Sequence, residues 1–335
     1  MFQTTKLNYS YKEIKVSNNT LEQISLLNKK FYFYQTNLFQ NNIKFDQKKF
    51  FDQEIKKSLI RSLICFDLEA VAFCKCLIAD LQLAFHLKYN EIETENCNLM
   101  FHLAEDKGEE GTYHYDQIQN FKTFTIWSPI TEYHYKALSY YSFSYYFYKI
   151  FNLLKIIKFF PKKDVIAKKY QPLVWGGYFV HKGNLNNSKD ISAALVVSVR
   201  VNKNGSNTRN YKYFNIQEEF ALESYKNIKL LIDYLISLID SSNKNSFKEI
   251  LDKTLKKINE INFFYDDLII SKTLSVISQR TLSFFKENNN YKLLSLLLDA
   301  CAISLDSNQY ASNLRIDKYP SKGFDIKLFI KNYKN

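Results

Sequence analysis

Thr112-Tyr113-His114-Tyr115-Asp116, followed by Lys122-Thr123-Phe124-Thr125-Ile126-Trp127-Ser128-Pro129, is the part of this chain from which the rest reads most coherently. It is rich in β-branched and aromatic residues and reads as two short strands, the second ended by Pro129. On a strand, residues i and i+2 point to the same face. His114 and Asp116 therefore present an imidazole and a carboxylate side by side. One more histidine from a distant strand would complete one face of an octahedron. That two-histidine, one-carboxylate set holds ferrous iron and leaves three positions open. His181 has the right context, because Gln171-Pro172-Leu173-Val174-Trp175-Gly176-Gly177-Tyr178-Phe179-Val180 leads into it. His114, Asp116 and His181 are thus the candidate metal ligands, and no further catalytic residue is expected beyond them.

Working outward, Ile191 to Val201 is the clearest strand in the chain. It is apolar on both faces until Ser198 and Arg200, which predicts a central place in a sheet. Upstream, Asp52 to Phe85 contains no Gly or Pro and repeats Leu59, Leu63, Leu68, Ala72, Cys76 and Leu83 at helical spacing. Two helices, or one long one, are expected there. Gly108 and Gly111, with Glu105, Asp106, Glu109 and Glu110, mark a loop. From Asn215 the pattern is helical again, with capping boxes Asn215-x-x-Glu218 and Ser246-x-x-Glu249. Helices are expected over about 216–240, 246–261, 265–286 and 290–304, broken at Ser241-Ser242-Asn243 and Asn288-Asn289-Asn290. The last thirty residues hold Pro320 and Gly323 and read as a loosely packed tail.

The stretch His114-x-Asp116-x-x-x-x-Phe121-x-Thr123-x-x-Ile126-Trp127-x-Pro129-Ile130 resembles the metal-binding motif and following strand of Fe(II)/2-oxoglutarate-dependent dioxygenases, nearest their phytanoyl-CoA hydroxylase-like branch. His181-Lys182-Gly183-Asn184-Leu185-Asn186-Asn187-Ser188, running into Val196-Val197-Ser198-Val199-Arg200-Val201, looks like the distal-histidine motif of that branch. The specific likeness is to members in streptomycin-type and sporadic bacterial carbohydrate gene clusters. It covers about residues 95–205. The resemblance implies a double-stranded β-helix (jelly-roll) core and says nothing about the C-terminal third. With the helical patterns on either side, an α+β chain is expected, with N-terminal helices and a helical C-terminal extension, divided into a jelly-roll oxygenase-like domain, 1–210, and a helical accessory region, 211–335. The resemblance also implies Fe(2+), 2-oxoglutarate as cosubstrate, and a sugar or other small metabolite as substrate. Thr123, Asn184, Ser188 and Arg200 are the cosubstrate-binding candidates.

The chain departs from that pattern at one place. Members using 2-oxoglutarate usually carry an Arg about ten residues after the distal histidine, followed two residues later by Ser, to grip the far carboxylate in a fork. Here that stretch is Ser192-Ala193-Ala194-Leu195-Val196. Arg200 shares a face with Ala194 but stands six residues on, about 20 Å along a strand. Lys182, Lys189 or Arg209 could grip the cosubstrate instead. Three readings therefore stay open: a 2-oxoglutarate-coupled Fe(II) oxygenase, a metal enzyme that uses no 2-oxo acid, and a catalytically degenerate jelly-roll protein that binds a ligand.

Composition bounds the partners. The 335 residues, 46% apolar, can bury a sizeable core. The net charge of +12 comes from 41 Lys and only five Arg, with no run of five basic residues. Lys lacks the planar fork that reads bases and grips phosphates, so a solvated basic surface is expected rather than a nucleic-acid partner. Cys65, Cys74, Cys76, Cys97 and Cys301 contain no C-x-x-C pair and read as reduced, buried thiols. The apolar stretch Tyr140 to Phe160 carries Lys149, Lys155 and Lys158, too many charges for a spanning helix, though compatible with contact at a membrane surface. A cytoplasmic protein without a transmembrane segment is expected. Asp67 and Glu69 form a possible carboxylate pair, with a rim position expected, and His134 a possible substrate-facing histidine.

Overall fold

The β-branched run near the middle of the chain becomes the inner strand of a five-stranded antiparallel sheet in the computed structural model. The structure describes residues 7–40, 43–86, 92–106, 112–117, 122–201, 216, 220–241, 247–261 and 267–305. The readings placed on Gly108, Gly111, Phe121, Arg209, the Asn215 and Ser246 capping boxes and the C-terminal tail lie outside these residues. The described strands are β1 (Lys12–Glu13), β2 (Ile92–His102), β3 (Lys122–Pro129), β4 (Lys136–Tyr140), β5 (Lys163–Ile166), β6 (Leu173–Gly176), β7 (His181–Gly183) and β8 (Ser192–Val201). The described helices are α1 (Asn18–Phe39), α2 (Phe50–Cys65), α3 (Leu68–Phe85), α4 (Tyr145–Leu153), α5 (Phe220–Asp240), α6 (Phe247–Glu260), α7 (Asp267–Phe284) and α8 (Asn289–Leu305). The chain is a mixture of helices and antiparallel sheets, and no described helix is long and apolar enough to cross a membrane.

The residues fall into two units. The first comprises Met1–Thr36, Gln40–Phe45 and Ile64–Ile216. Its larger sheet runs β1-β6-β3-β8-β2, and its smaller sheet β5-β4-β7. β8 lies between β3 and β2, as its two-sided apolar pattern predicts. Its two faces have different neighbours. On one side the sheet meets helices, with Phe31 of α1 edge-on to Phe101 and Phe85 of α3 stacked near Phe124. On the other side Trp127, Leu173, Trp175 and Ala194 share a core with Ala137, Leu138 and Tyr140 of the smaller sheet and with Val165. The two sheets therefore enclose a common core, and their inner faces set the position of the site. Asp67 is buried rather than at the rim. It caps α3 by accepting from the Glu69 amide and pairs with Lys30 at 2.7 Å, which explains how a carboxylate can sit there. Glu69 is the partly exposed member of that pair and also meets Lys30.

The second unit comprises Asn37–Phe39, Asp46–Leu63 and Gln217–Asn335. It is helical, and its short polar side chains fix neighbouring helices. Ser278 donates to the Ser295 carbonyl, Ser271 donates to the Ala302 carbonyl, and Thr273 donates to Ser62. Phe50 stacks on Phe284 with centroids 4.5 Å apart. Glu54 and Lys57 are both fully enclosed and form an ion pair at 2.9 Å, with Arg280 reaching Glu54 at 3.3 Å. The observed helices, Phe220–Asp240, Phe247–Glu260, Asp267–Phe284 and Asn289–Leu305, fall within a few residues of the limits the periodicity predicts.

Candidate metal centre

His114 stands on an extended segment that pairs with β7. Its amide donates to the His181 carbonyl at 2.9 Å, and the His181 amide returns the bond at 3.0 Å. The two imidazoles lie with centroids 4.5 Å apart. Asp116, two residues on, turns its carboxylate between them. His114 Nε2 lies 3.7 Å from Asp116 Oδ1, and His181 Nε2 lies 3.7 Å from Asp116 Oδ2. One ligand atom from each of the three residues falls within 4.8 Å of the others, and this is the metal-type cluster found among the described residues.

The hydrogen bonds around the triad decide which atoms face inward. His114 Nδ1 is 2.9 Å from the Thr112 carbonyl, and His181 Nδ1 is 3.0 Å from the Phe179 carbonyl. A carbonyl can only accept, so each Nδ1 carries the proton and each Nε2 offers a lone pair. Asp116 Oδ2 accepts from Thr125 Oγ1 at 2.7 Å and from Trp175 Nε1 at 3.1 Å. These bonds fix ligand orientation in the way outer partners do at metal sites. Burial alone would raise the Asp116 pKa. The facing His181 and His114, with the bonds from Thr125 and Trp175, outweigh it and hold the carboxyl below its usual range. Burial lowers the His181 pKa, which favours the neutral, ligating imidazole, although Asp116 opposes the shift.

The donor set fits a divalent ion such as iron. Adjacent octahedral ligands about 2.1 Å from a metal stand about 3 Å apart, so the three ligand atoms, which lie within 4.8 Å of one another, would draw together around an ion. Two nitrogens and one carboxylate on one side leave the other side for further ligands.

The four cosubstrate candidates separate into two groups. Thr123 and Arg200 are directly opposite each other in the β3–β8 register. Thr125, which holds Asp116, is opposite Ser198, and Pro129 is opposite Ala194. All these residues share the inner face. Arg200 is thus two residues, about 7 Å, beyond the Ser198–Thr125 pair, while Ala194 is four residues, about 13 Å, the other way. Ala194 is sealed within the core cluster, whereas Val196, Ser198 and Arg200 are partly exposed. Asn184 and Ser188 instead tie loops together. Asn184 donates to the Lys136 carbonyl and to Ser139, and Ser188 bonds Asn186 and the Asp190 carbonyl. Of the other candidate cations, Lys182 is buried with its ammonium 5.4 Å from the Tyr113 ring centre, and Lys189 is exposed. His134 is exposed beside Asp190, away from the triad's contacts.

The sequence reading passed over four supporting residues. Thr125 and Trp175 hold Asp116, Gln117 accepts a bond from Thr123 at 2.9 Å, and Gly177 abuts both Gln117 and Thr123. The alternation Thr123-x-Thr125-x-Trp127 was the available signal, since it places both hydroxyls on one face.

No protein-family model matches this chain, and no curated protein matches it. Solved structures similar to it include EvdMO1 (14% identity, TM-score 0.34, covering 40% of this chain and 32% of that one). AviO1 from Streptomyces viridochromogenes Tue57 is similar at 10% identity and a TM-score of 0.42, covering 61% of this chain and 96% of that one. The nickel complex of the non-heme monooxygenase ThoJ is similar at 10% identity and a TM-score of 0.41, covering 77% and 99%. The chain spans about a third of the length of EvdMO1. Likeness this distant assigns no activity to the chain.

Proposed function

We propose that the chain is an Fe(II)-dependent oxygenase, coupled to 2-oxoglutarate, that hydroxylates a sugar or other small metabolite in the cell interior. On this reading residues 1–210 are a jelly-roll oxygenase-like domain and 211–335 a helical accessory region. The observation that carries it is the pair of open Nε2 atoms facing a carboxylate that Thr125 and Trp175 hold in place. His114, Asp116 and His181 would hold the iron. Bound there, iron supplies the oxygen activation that side chains alone cannot. The enclosing aromatic residues Trp175 and Phe179 keep one side of His181 dry. Arg200, with Thr123 opposite, is the favoured grip for the far carboxylate of a 2-oxo acid. It is the cation on the inner face, and its side chain has the planar fork that a carboxylate matches.

Protein purified without oxygen and loaded with Fe(II) tests this reading. One iron per chain, with succinate formed from 2-oxoglutarate, is expected. His114→Ala and Asp116→Ala should each lose the iron. Unchanged iron stoichiometry in both variants refutes the assignment, and a wild-type chain that takes up no iron refutes it as well.

A second reading, a metal enzyme that uses no 2-oxo acid, is favoured by Ala194, where a sealed apolar core takes the place of the usual Arg. Iron binding with no 2-oxoglutarate binding would select it.

A further inference from the structure

Helix α4 shows water a face that a protein interior would normally cover. Ser144 caps it, its hydroxyl accepting from the Phe147 amide, and Lys155, with φ at 58°, ends it in a left-handed turn. Tyr146, Phe147, Ile150, Leu153 and Leu154 recur at spacings of three, four and seven, so they form one stripe. All five are exposed, from 50% for Ile150 to 81% for Leu153, and Phe159 in the following turn is 75% exposed. Single exposed apolar residues are ordinary, but a contiguous stripe of this size marks a surface that meets something apolar.

The charge around the stripe says what. Between Tyr141 and Lys169 the chain has seven lysines, Lys149, Lys155, Lys158, Lys162, Lys163, Lys168 and Lys169, and one acidic residue, Asp164. Asp164 is already engaged by Lys136 at 2.7 Å and by Ser139. The Lys149 and Lys158 ammonium groups lie over the rings of Tyr145 and Phe159, 4.8 and 5.2 Å from their centres, so the basic charge sits directly beside the apolar segment. Apolar side chains on one face with a one-sided basic surround suit a helix lying in the headgroup layer of an anionic bilayer.

We propose that the α4 face and its lysines dock this chain on an anionic lipid bilayer. This goes beyond the oxygenase reading and holds whether or not the triad binds iron. The inner side of the same helix touches the site. Tyr145 packs on Tyr115 with centroids 4.0 Å apart, and Tyr115 stands between His114 and Asp116 in the chain. A docked chain therefore has one aromatic layer between the bilayer-facing helix and the triad segment.

Co-sedimentation of the full chain with vesicles tests this. The chain should pellet with vesicles of phosphatidylcholine mixed with phosphatidylserine, much less with phosphatidylcholine alone, and less as salt rises. Phe147→Ser/Ile150→Ser/Leu153→Ser should weaken binding at least about tenfold. Lys155→Glu/Lys158→Glu/Lys162→Glu, which leaves the apolar stripe untouched, should weaken it about fivefold or more per lysine. Should the apolar variant fail to fold, the lysine variant decides alone. The proposal is overturned if the wild-type chain stays in the supernatant with both vesicle types, or if the charge-reversed chain binds as the wild type does. It is equally overturned if the wild-type chain elutes as a dimer, ignores vesicles, and becomes monomeric only when the apolar stripe is replaced.

Discussion

The main chains of His114 and His181 hold each other through two reciprocal hydrogen bonds, 2.9 and 3.0 Å long, so two candidate ligands 67 positions apart in sequence form one backbone unit. Their imidazole spacing is set by the ladder before any ion arrives. Pre-formed spacing of this kind lets a site bind metal without first ordering a loop. The expected result is that calorimetry shows Fe(II) or a surrogate such as Ni(II) binding with a small heat-capacity change. A large negative change, as coupled folding gives, would count against it.

Thr125 and Trp175 should matter to the metal although neither is a ligand. Both donate to Asp116 Oδ2. Thr125→Val removes one donor at nearly constant shape, and Trp175→Phe removes the other while leaving a smaller ring in the core. Each should weaken metal affinity about 10- to 100-fold, read by competition with a chromophoric chelator. The fold should persist by circular dichroism.

Arg200→Ala should leave iron binding intact and raise the apparent dissociation constant for 2-oxoglutarate about tenfold or more. Arg200→Lys should recover only part of it, because an ammonium cannot fork. Equal 2-oxoglutarate binding in all three proteins would move the cosubstrate elsewhere, with Lys182 the next candidate.

Gly177→Ala should damage the site from a distance. The added methyl would collide with the Gln117 side chain and the Thr123 hydroxyl, and Gln117 directly follows Asp116. Forced overpacking costs about 1–3 kcal/mol. A lowered melting temperature with reduced iron content is expected, and wild-type values of both would contradict this packing.

Glu54 in the helical unit links stability to acid. Burial would raise its pKa, but Lys57, Arg280 and Arg61 outweigh burial and bring it down to about 2, from an ordinary value of 4.5. Between those values the unfolded chain binds the proton and the folded chain does not, so the stabilisation is complete above about 4.5 and disappears as the pH falls toward about 2. Glu54→Gln should flatten that acid limb. At neutral pH it should cost about 3–5 kcal/mol, since it leaves a buried cation without its anion. Denaturant titrations across pH check both effects.

How much of this was readable in advance differs between elements. His114 and Asp116 were visible because i, i+2 spacing is a local property of an extended chain. The long strand Ser192–Val201 and the four C-terminal helices were visible because period and breakers are local too. Lys136–Tyr140 and Lys163–Ile166 were not, since strands of five and four residues carry too few alternations to register. Register was also hidden. The count along the strand that set Arg200 about 20 Å from Ala194 agrees with the register, but it could not show that Arg200 lies about 7 Å beyond the Thr125–Ser198 pair, whose Thr125 holds Asp116. Pairing across 77 residues of chain, from Thr123 to Arg200, leaves no local trace. Helix α4 was read as an apolar stretch compatible with contact at a membrane surface, but not which face it exposes, because that depends on Tyr115 and Tyr178, distant in sequence.

The chain has two tryptophans. One, Trp127, is packed against Tyr133 in the core, and the other, Trp175, has its indole N–H on Asp116 and its ring 4.9 Å from His181. The molecule therefore carries its own optical gauge. Tryptophan emission should dim when a paramagnetic ion enters between the histidines, so occupancy of the site can be followed in the native sequence without any added dye.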